Sequence, residues 1–269
     1  MNSESHQYTL WLWLEGMFPR RLNYFLLMKG LVSTPADLLQ GKTNMSNLQI
    51  IKMRPDMTSG SWKFDPETES LPTGVSTPCL RVTDTRTGRE HWIRESVSIL
   101  SYFEDVFRDR GPALQSSNPL EVAATADIMG AINLAMSDGG TYIRHACPAM
   151  AAWSGLKDED RSRAAALNAF EMMVKGLGKV QMWAQDTLAE TGWLTPGISG
   201  PGLADITLAA GRRYLELGYG WDTFEREELK LLAEWYERFK KAVPWWDALE
   251  EREDVHPKEM MLGKESREV

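Results

Sequence analysis

The periodicity of the chain changes part-way along it. Up to residue 93 short apolar runs of strand length recur. "QYTLWLWL" (7–14), "LQIIKM" (48–53), "CLRV" (79–82) and "EHWI" (90–93) read as strands, and "LNYFLLMKGL" (22–31) between the first two reads as a helix that Gly30 ends. The first two strands with their helix form a βαβ unit. The last two form a hairpin through "TDTRTG", and from Glu95 a helix follows with Val97, Ile99, Leu100, Phe103 and Phe107 on one face. Beyond "RDRGPALQSSNPLE" (108–121) strand signals disappear. Helical spacing then holds over 120–137, 160–190 and 204–217, and over a last segment carrying Leu229, Leu232, Tyr236, Phe239 and Val243 that Pro244 stops. A chain whose strands all precede its long helices folds as an α/β unit followed by an all-α one. The expected division is residues 1–110, a linker at 111–118, and 119–269. Residues 54–76, rich in Pro, Ser, Thr, Asp and Gly, read as a long loop that Arg54-Pro55 opens.

The 269 residues suit one or two domains, and 43% hydrophobic with 25% charged residues suits a folded chain. A net charge of -8 argues against nucleic acid or an anionic membrane as partner. Cys79 and Cys147 alone are too few for a disulfide framework or a cysteine-based metal site, so a reducing compartment and no metal are expected. "MNSESHQ" has neither the basic start nor the apolar core of a secretory signal, and no apolar run reaches membrane-spanning length. The expected location is cytoplasmic. Eleven Trp and fourteen Met serve cores and apolar ligand pockets alike.

Four segments carry a family resemblance: "RRLNYFLLMKGL" after the opening strand, "STPCL" (76–80), "RESVSILSYFED" (94–105) and "GPGLADITL" (200–208), the last followed by "WYERFKKAVPWW". Together they resemble the cytosolic glutathione transferase superfamily, most closely divergent fungal members that include glutathione transferase-like isomerases of natural-product pathways. The resemblance implies an N-terminal thioredoxin-like domain, an all-α domain with a hydrophobic substrate site, glutathione as cofactor, and a homodimer. It also implies a cis bond before Pro78 and a glutathione site at Thr77, Pro78, Glu95 and Ser96. The chemistry of these residues agrees. A serine at a helix start can hold a carboxylate with the free N–H groups there, Glu95 can receive an ammonium, and Thr77 can pair with a peptide as an added strand. In "GPGLAD", Gly202 stands where the pattern has Ser, and Asp205 is expected to reach back to it as a structural cap.

The family places a Ser, Cys or Tyr just after the opening strand to stabilise the glutathione thiolate, but this chain has "LEGMFPRRLN". An ordinary thiol, with pKa about 8.5, is mostly protonated at neutral pH. Arg20, Arg21, Asn23 and the backbone near Pro19 are the candidates for stabilising it. By resemblance, Met17, Phe18, Met129, Asn133, Met136 and Tyr142 line the site of a hydrophobic electrophilic substrate. Three activities fit: transfer of the thiolate to that substrate, cis/trans isomerisation of a double bond by reversible addition and elimination, and glutathione binding without catalysis.

Overall fold

The computed structural model describes residues 5–56, 59, 61–65, 67–147 and 155–251. Its sheet begins with β1 (His6–Leu12), where Tyr8, Leu10 and Leu12 enter the main core while Trp11 points to the opposite face. That alternation is what a strand covered on both sides requires. β2 (Leu48–Asp56) runs parallel to β1, with Tyr8 opposite Leu48. The crossover a parallel pair needs is made by α1 (Met17–Met28) and the short α2 (Pro35–Gln40). Thr34 caps α2, accepting the Asp37 N–H at 3.1 Å, with Pro35 in the first turn. β4 (Cys79–Asp84) pairs antiparallel with β1 and with β5 (Glu90–Ile93), and β3 (Ser61–Phe64) flanks β2. The order is β3-β2-β1-β4-β5, with only the central β1–β2 pair parallel.

The helices follow. α3 (Ser96–Val106) and the almost wholly buried α1 pack together, and α1 also packs on α7 (Leu203–Tyr219) of the helical half. The remainder is α4 (Pro119–Ala146), α5 (Arg163–Trp183), α6 (Gln185–Glu190), α8 (Lys230–Ala242) and α9 (Trp246–Glu250). The stretch that reads as a linker is pinned: Leu114 is buried, its N–H bonds Glu104 and its C=O accepts the Leu203 N–H.

Several sequence expectations change. The loop at 54–76 contains β3, and β2 continues through Pro55 to Asp56 instead of ending at Met53. Pairing with β1 stops at Lys52, so one side of Pro55 has no ladder to serve and its missing N–H costs little there, while Trp62 lies opposite on β3. α1 starts at Met17, because Pro19 is tolerated in a first turn. α4 continues past the expected end at 137, through Gly139-Gly140, to Ala146. The helix expected over 160–190 divides at Ala184 into α5 and α6. The final part of the expected 119–269 unit, residues 252–269, lies outside the described residues. Among the described residues no helix is long and apolar enough to cross a membrane, and no group of three or more metal-ligating side chains occurs. Cys79 and Cys147 are both buried thiols.

Candidate active site

Strand register assembles the site. Leu80 lies opposite Ile93, so the residues just before β4 and just after β5, Thr77-Pro78 and Glu95-Ser96, share one end of the hairpin. The Thr77–Pro78 bond is cis. Thr77 is tied to the same end of β1, its hydroxyl donating to the Trp11 carbonyl at 3.2 Å and accepting the Trp13 N–H at 3.1 Å. Its main-chain N–H and C=O lie outside the ladder and make no hydrogen bond among the described residues.

α3 starts without a side-chain cap. Glu95 occupies the cap position with its carboxylate exposed, and the first helical bond is Ile99 N–H to Glu95 C=O, which leaves the N–H groups of Ser96, Val97 and Ser98 without helical partners. Behind this end lies Arg21, fully buried, its Nη1 donating to Ser96 Oγ at 3.0 Å and to Asn133 Oδ1 at 2.7 Å. The Phe18 ring covers it, 4.9 Å from the guanidinium carbon. Its Nε and Nη2 have no hydrogen-bond partner among the described residues. Burial pulls the Arg21 guanidinium down to about 9, against the exposed Glu95 carboxylate, which favours the charge. At neutral pH it remains a cation with unspent donors. Because Ser96 Oγ accepts from Arg21, the Ser96 hydroxyl hydrogen is left to donate elsewhere.

Arg20 and Asn23, candidates for the thiol-stabilising role, are corrected. Arg20 is buried and clamped on both oxygens of Glu250 at 2.5 and 2.6 Å, and Asn23 donates its amide to the Leu14 carbonyl at 2.7 Å. One residue on an α-helix turns the side chain by about 100°, so Arg20 faces α9 while Arg21 faces α3.

A cleft of about 610 Å³ opens beside Thr77, between the sheet end and the helical half. Of the sequence-derived substrate candidates, Met17, Phe18 and Met136 line it. Met129, Asn133 and Tyr142 do not: Met129 is buried in the main core, Asn133 is spent on Arg21, and Tyr142 packs on Trp221 with ring centres 4.7 Å apart. Sequence reasoning missed Trp13, Trp62, Tyr214 and the polar face of α4 bearing Ser137, Thr141 and Arg144, all of which line the cleft. Helical spacing that continues from Met136 to Ile143 would have revealed the α4 part.

No family model and no curated protein matches the sequence. Solved structures do resemble it. A glutathione transferase family member from Pseudomonas fluorescens, with bound glutathione, superposes with a TM-score of 0.60 at 15% identity, over 90% of this chain and 98% of the other. For Gtt2 of Saccharomyces cerevisiae the values are 0.58, 17%, 90% and 99%. For maleylacetoacetate isomerase of Anaeromyxobacter dehalogenans, with glutathione in its active site, they are 0.57, 17%, 94% and 99%. The fold is that of the glutathione transferases. On this glutathione transferase fold a thioredoxin-like sheet precedes a helical half, and the start of α1 is the place where the family pattern has its Ser, Cys or Tyr. Here the cap position is Gly16, and a Cβ there would lie 2.7 Å from the Trp13 ring. Trp13 occupies the space a side chain at that position would need.

Proposed function

We propose that the chain is a glutathione-dependent enzyme of the transferase type, acting on a hydrophobic electrophilic small molecule. The observation that carries this reading is the uncapped start of α3 backed by the under-partnered, buried Arg21. A free helix N-terminus with a cation behind it is built for a carboxylate, and the γ-glutamyl end of glutathione brings one together with an ammonium for Glu95. Ser96 donates to that carboxylate, and the Thr77 main chain pairs with the cysteinyl residue. That interaction lays the peptide along Thr77 toward the cleft.

Glutathione supplies the nucleophilic thiolate that adds to an electrophilic carbon. The chain's own contribution at the sulfur is the first turn of α1, where the N–H groups of Met17 and Phe18 precede the first helical bond, Arg20 N–H to Gly16 C=O, and have no helical partner. The helix dipole favours negative charge there. The aromatic cleft holds the second substrate against this point and excludes water. Residues 1–110 then act as the glutathione-holding unit, 111–118 as its link, and 119–269 as the substrate-holding unit, in a two-fold dimer in the cytoplasm. Secondary metabolism in a fungus is a fitting context for such a substrate.

Isothermal titration tests the reading. Glutathione is expected to bind at millimolar concentration or below, and Ser96→Ala to weaken it about tenfold, the worth of one charge-assisted hydrogen bond, a larger effect than the loss of stability from the bond that Arg21 gives up. Absence of binding to the wild-type protein removes the proposal. With binding in hand, a conjugate formed from 1-chloro-2,4-dinitrobenzene marks transfer. A conjugated cis-alkene converted to trans with glutathione recovered intact marks isomerisation instead.

A further inference from the structure

The cleft carries a charge pattern at odds with the rest of the molecule. Acidic residues outnumber basic ones in the chain, 38 to 30, yet among the described residues no carboxylate lines the cleft and Arg144 is the single charged side chain on it. Of the other arginines nearby, Arg20 and Arg213 pair with Glu250 and Arg212 with Asp222, while Arg21 is buried behind the start of α3 and does not line the cleft. Arg144 makes no ion pair and no hydrogen bond among the described residues. It stands on the face of α4 that also carries Ser137 and Thr141, a spacing of four and then three residues that aligns the three side chains along the helix. Between them, a Cβ on Gly140 would meet nothing within 4 Å. A glycine in mid-helix is unfavourable relative to alanine, and at this position it leaves the cleft wall open. The same cleft is lined by Trp13, Trp62 and Tyr214, with Trp13 edge-on to Tyr214 at 6.3 Å.

We infer that the cleft selects an apolar, flat molecule bearing a carboxylate, with Arg144 as the residue that determines specificity and the Ser137 hydroxyl as an auxiliary donor, the Thr141 hydroxyl being donated to the Ser137 carbonyl at 3.2 Å. That this anion is also the electrophile attacked by a thiolate rests on the glutathione reading; the preference for an anion does not. Cinnamate and its methyl ester share a planar apolar body and differ in charge, and the tryptophans on the cleft wall report occupancy by fluorescence quenching without glutathione. The wild-type protein is expected to bind cinnamate about tenfold more tightly than the ester, by an amount that falls as salt is added. Arg144→Gln is expected to remove that difference while leaving the ester unaffected, and Arg144→Lys to restore most of it. Gly140→Leu, which keeps a good helix former in α4, is expected to weaken both ligands by filling the cleft.

Equal affinity of wild type for acid and ester, an equal loss of both in Arg144→Gln, or unimpaired binding of both in Gly140→Leu would each overturn the inference. Arg144-dependent cinnamate binding in a protein that does not bind glutathione would uphold the anion site and reject the glutathione reading. Glutathione binding with no acid preference would do the reverse.

Discussion

At Gly202 even a methyl group would collide, because a Cβ there lies 2.4 Å from the Ile198 side chain, 2.5 Å from the Leu114 carbonyl oxygen and 2.7 Å from Thr195 Oγ1. The hydroxyl that a serine would bring to the start of α7 is supplied by Thr195, whose Oγ1 accepts the Ala204 N–H at 3.0 Å. Asp205 accepts bonds from the N–H groups of Leu194, Thr195 and Gly202, the Thr195 hydroxyl and Trp235 Nε1, all between 2.7 and 3.1 Å. Asp205→Ala leaves these donors buried and unpaired, and urea unfolding is expected to show a loss of about 3–5 kcal/mol. Gly202→Ser, which restores the residue of the family pattern, is expected to destabilise by about 1–3 kcal/mol through overpacking, and a neutral result would mean that Ile198 and Thr195 can withdraw. The sequence shows Asp205 reaching back to Gly202, since that contact is local. It does not show Thr195, which comes from the preceding loop, nor which of the adjacent Arg20 and Arg21 turns toward the site. Both depend on what stands opposite in space.

Among the elements, α9 is fastened chiefly through the buried carboxylate of Glu250, with Glu251 beside it also paired to Arg213. Glu250, buried, receives Arg20, the Tyr24 hydroxyl at 2.8 Å and Arg213 Nε at 3.3 Å, so α9, α1 and α7 meet on one side chain. Burial pushes the Glu250 carboxyl up, but Arg20 and Arg213, with the Tyr24 hydrogen bond, outweigh it and hold it below the ordinary carboxylate range. A group depressed in the folded state contributes stability above its unfolded pKa, about 4.3, and loses it as pH falls through the lower folded value. Thermal melts from pH 6 down to 3 are therefore expected to show a decline that Glu250→Gln flattens, with the variant less stable throughout the upper part of that range. Parallel curves for the two proteins would assign the acid sensitivity to other carboxylates. The lengths of elements were harder to read than their existence. β2 runs through Pro55 because pairing with β1 has already ended, and α4 runs through two glycines because Gly139 packs its open backbone against Met173. Neither neighbour is visible in the local pattern.

For the molecule as a whole, the change from strand to helical periodicity carries the architecture, and the positions of Pro78 and Ser96 carry the end of the sheet where the candidate site lies. The cleft was only partly legible, because its lining comes from β1's exit, β3, the segment before β4, α1, α4 and α7 together. Met17, Phe18 and Met136 followed from resemblance; Trp62 sits on a strand hidden in a loop-like composition, and Arg144 on a helical extension. The hairpin that sets Thr77 and Ser96 at one end of the sheet places its turn, Thr85–Arg89, at the other. That turn is exposed, and Gly88 with φ near +70° absorbs its reversal. It is thus an attachment point: a short peptide tag or dye-bearing loop spliced in after Thr87 is expected to leave glutathione affinity within about twofold and to shift stability only slightly, by the weak dependence of closure entropy on loop length. A reporter placed there would ride on the same two strands as the site while staying clear of whatever enters it.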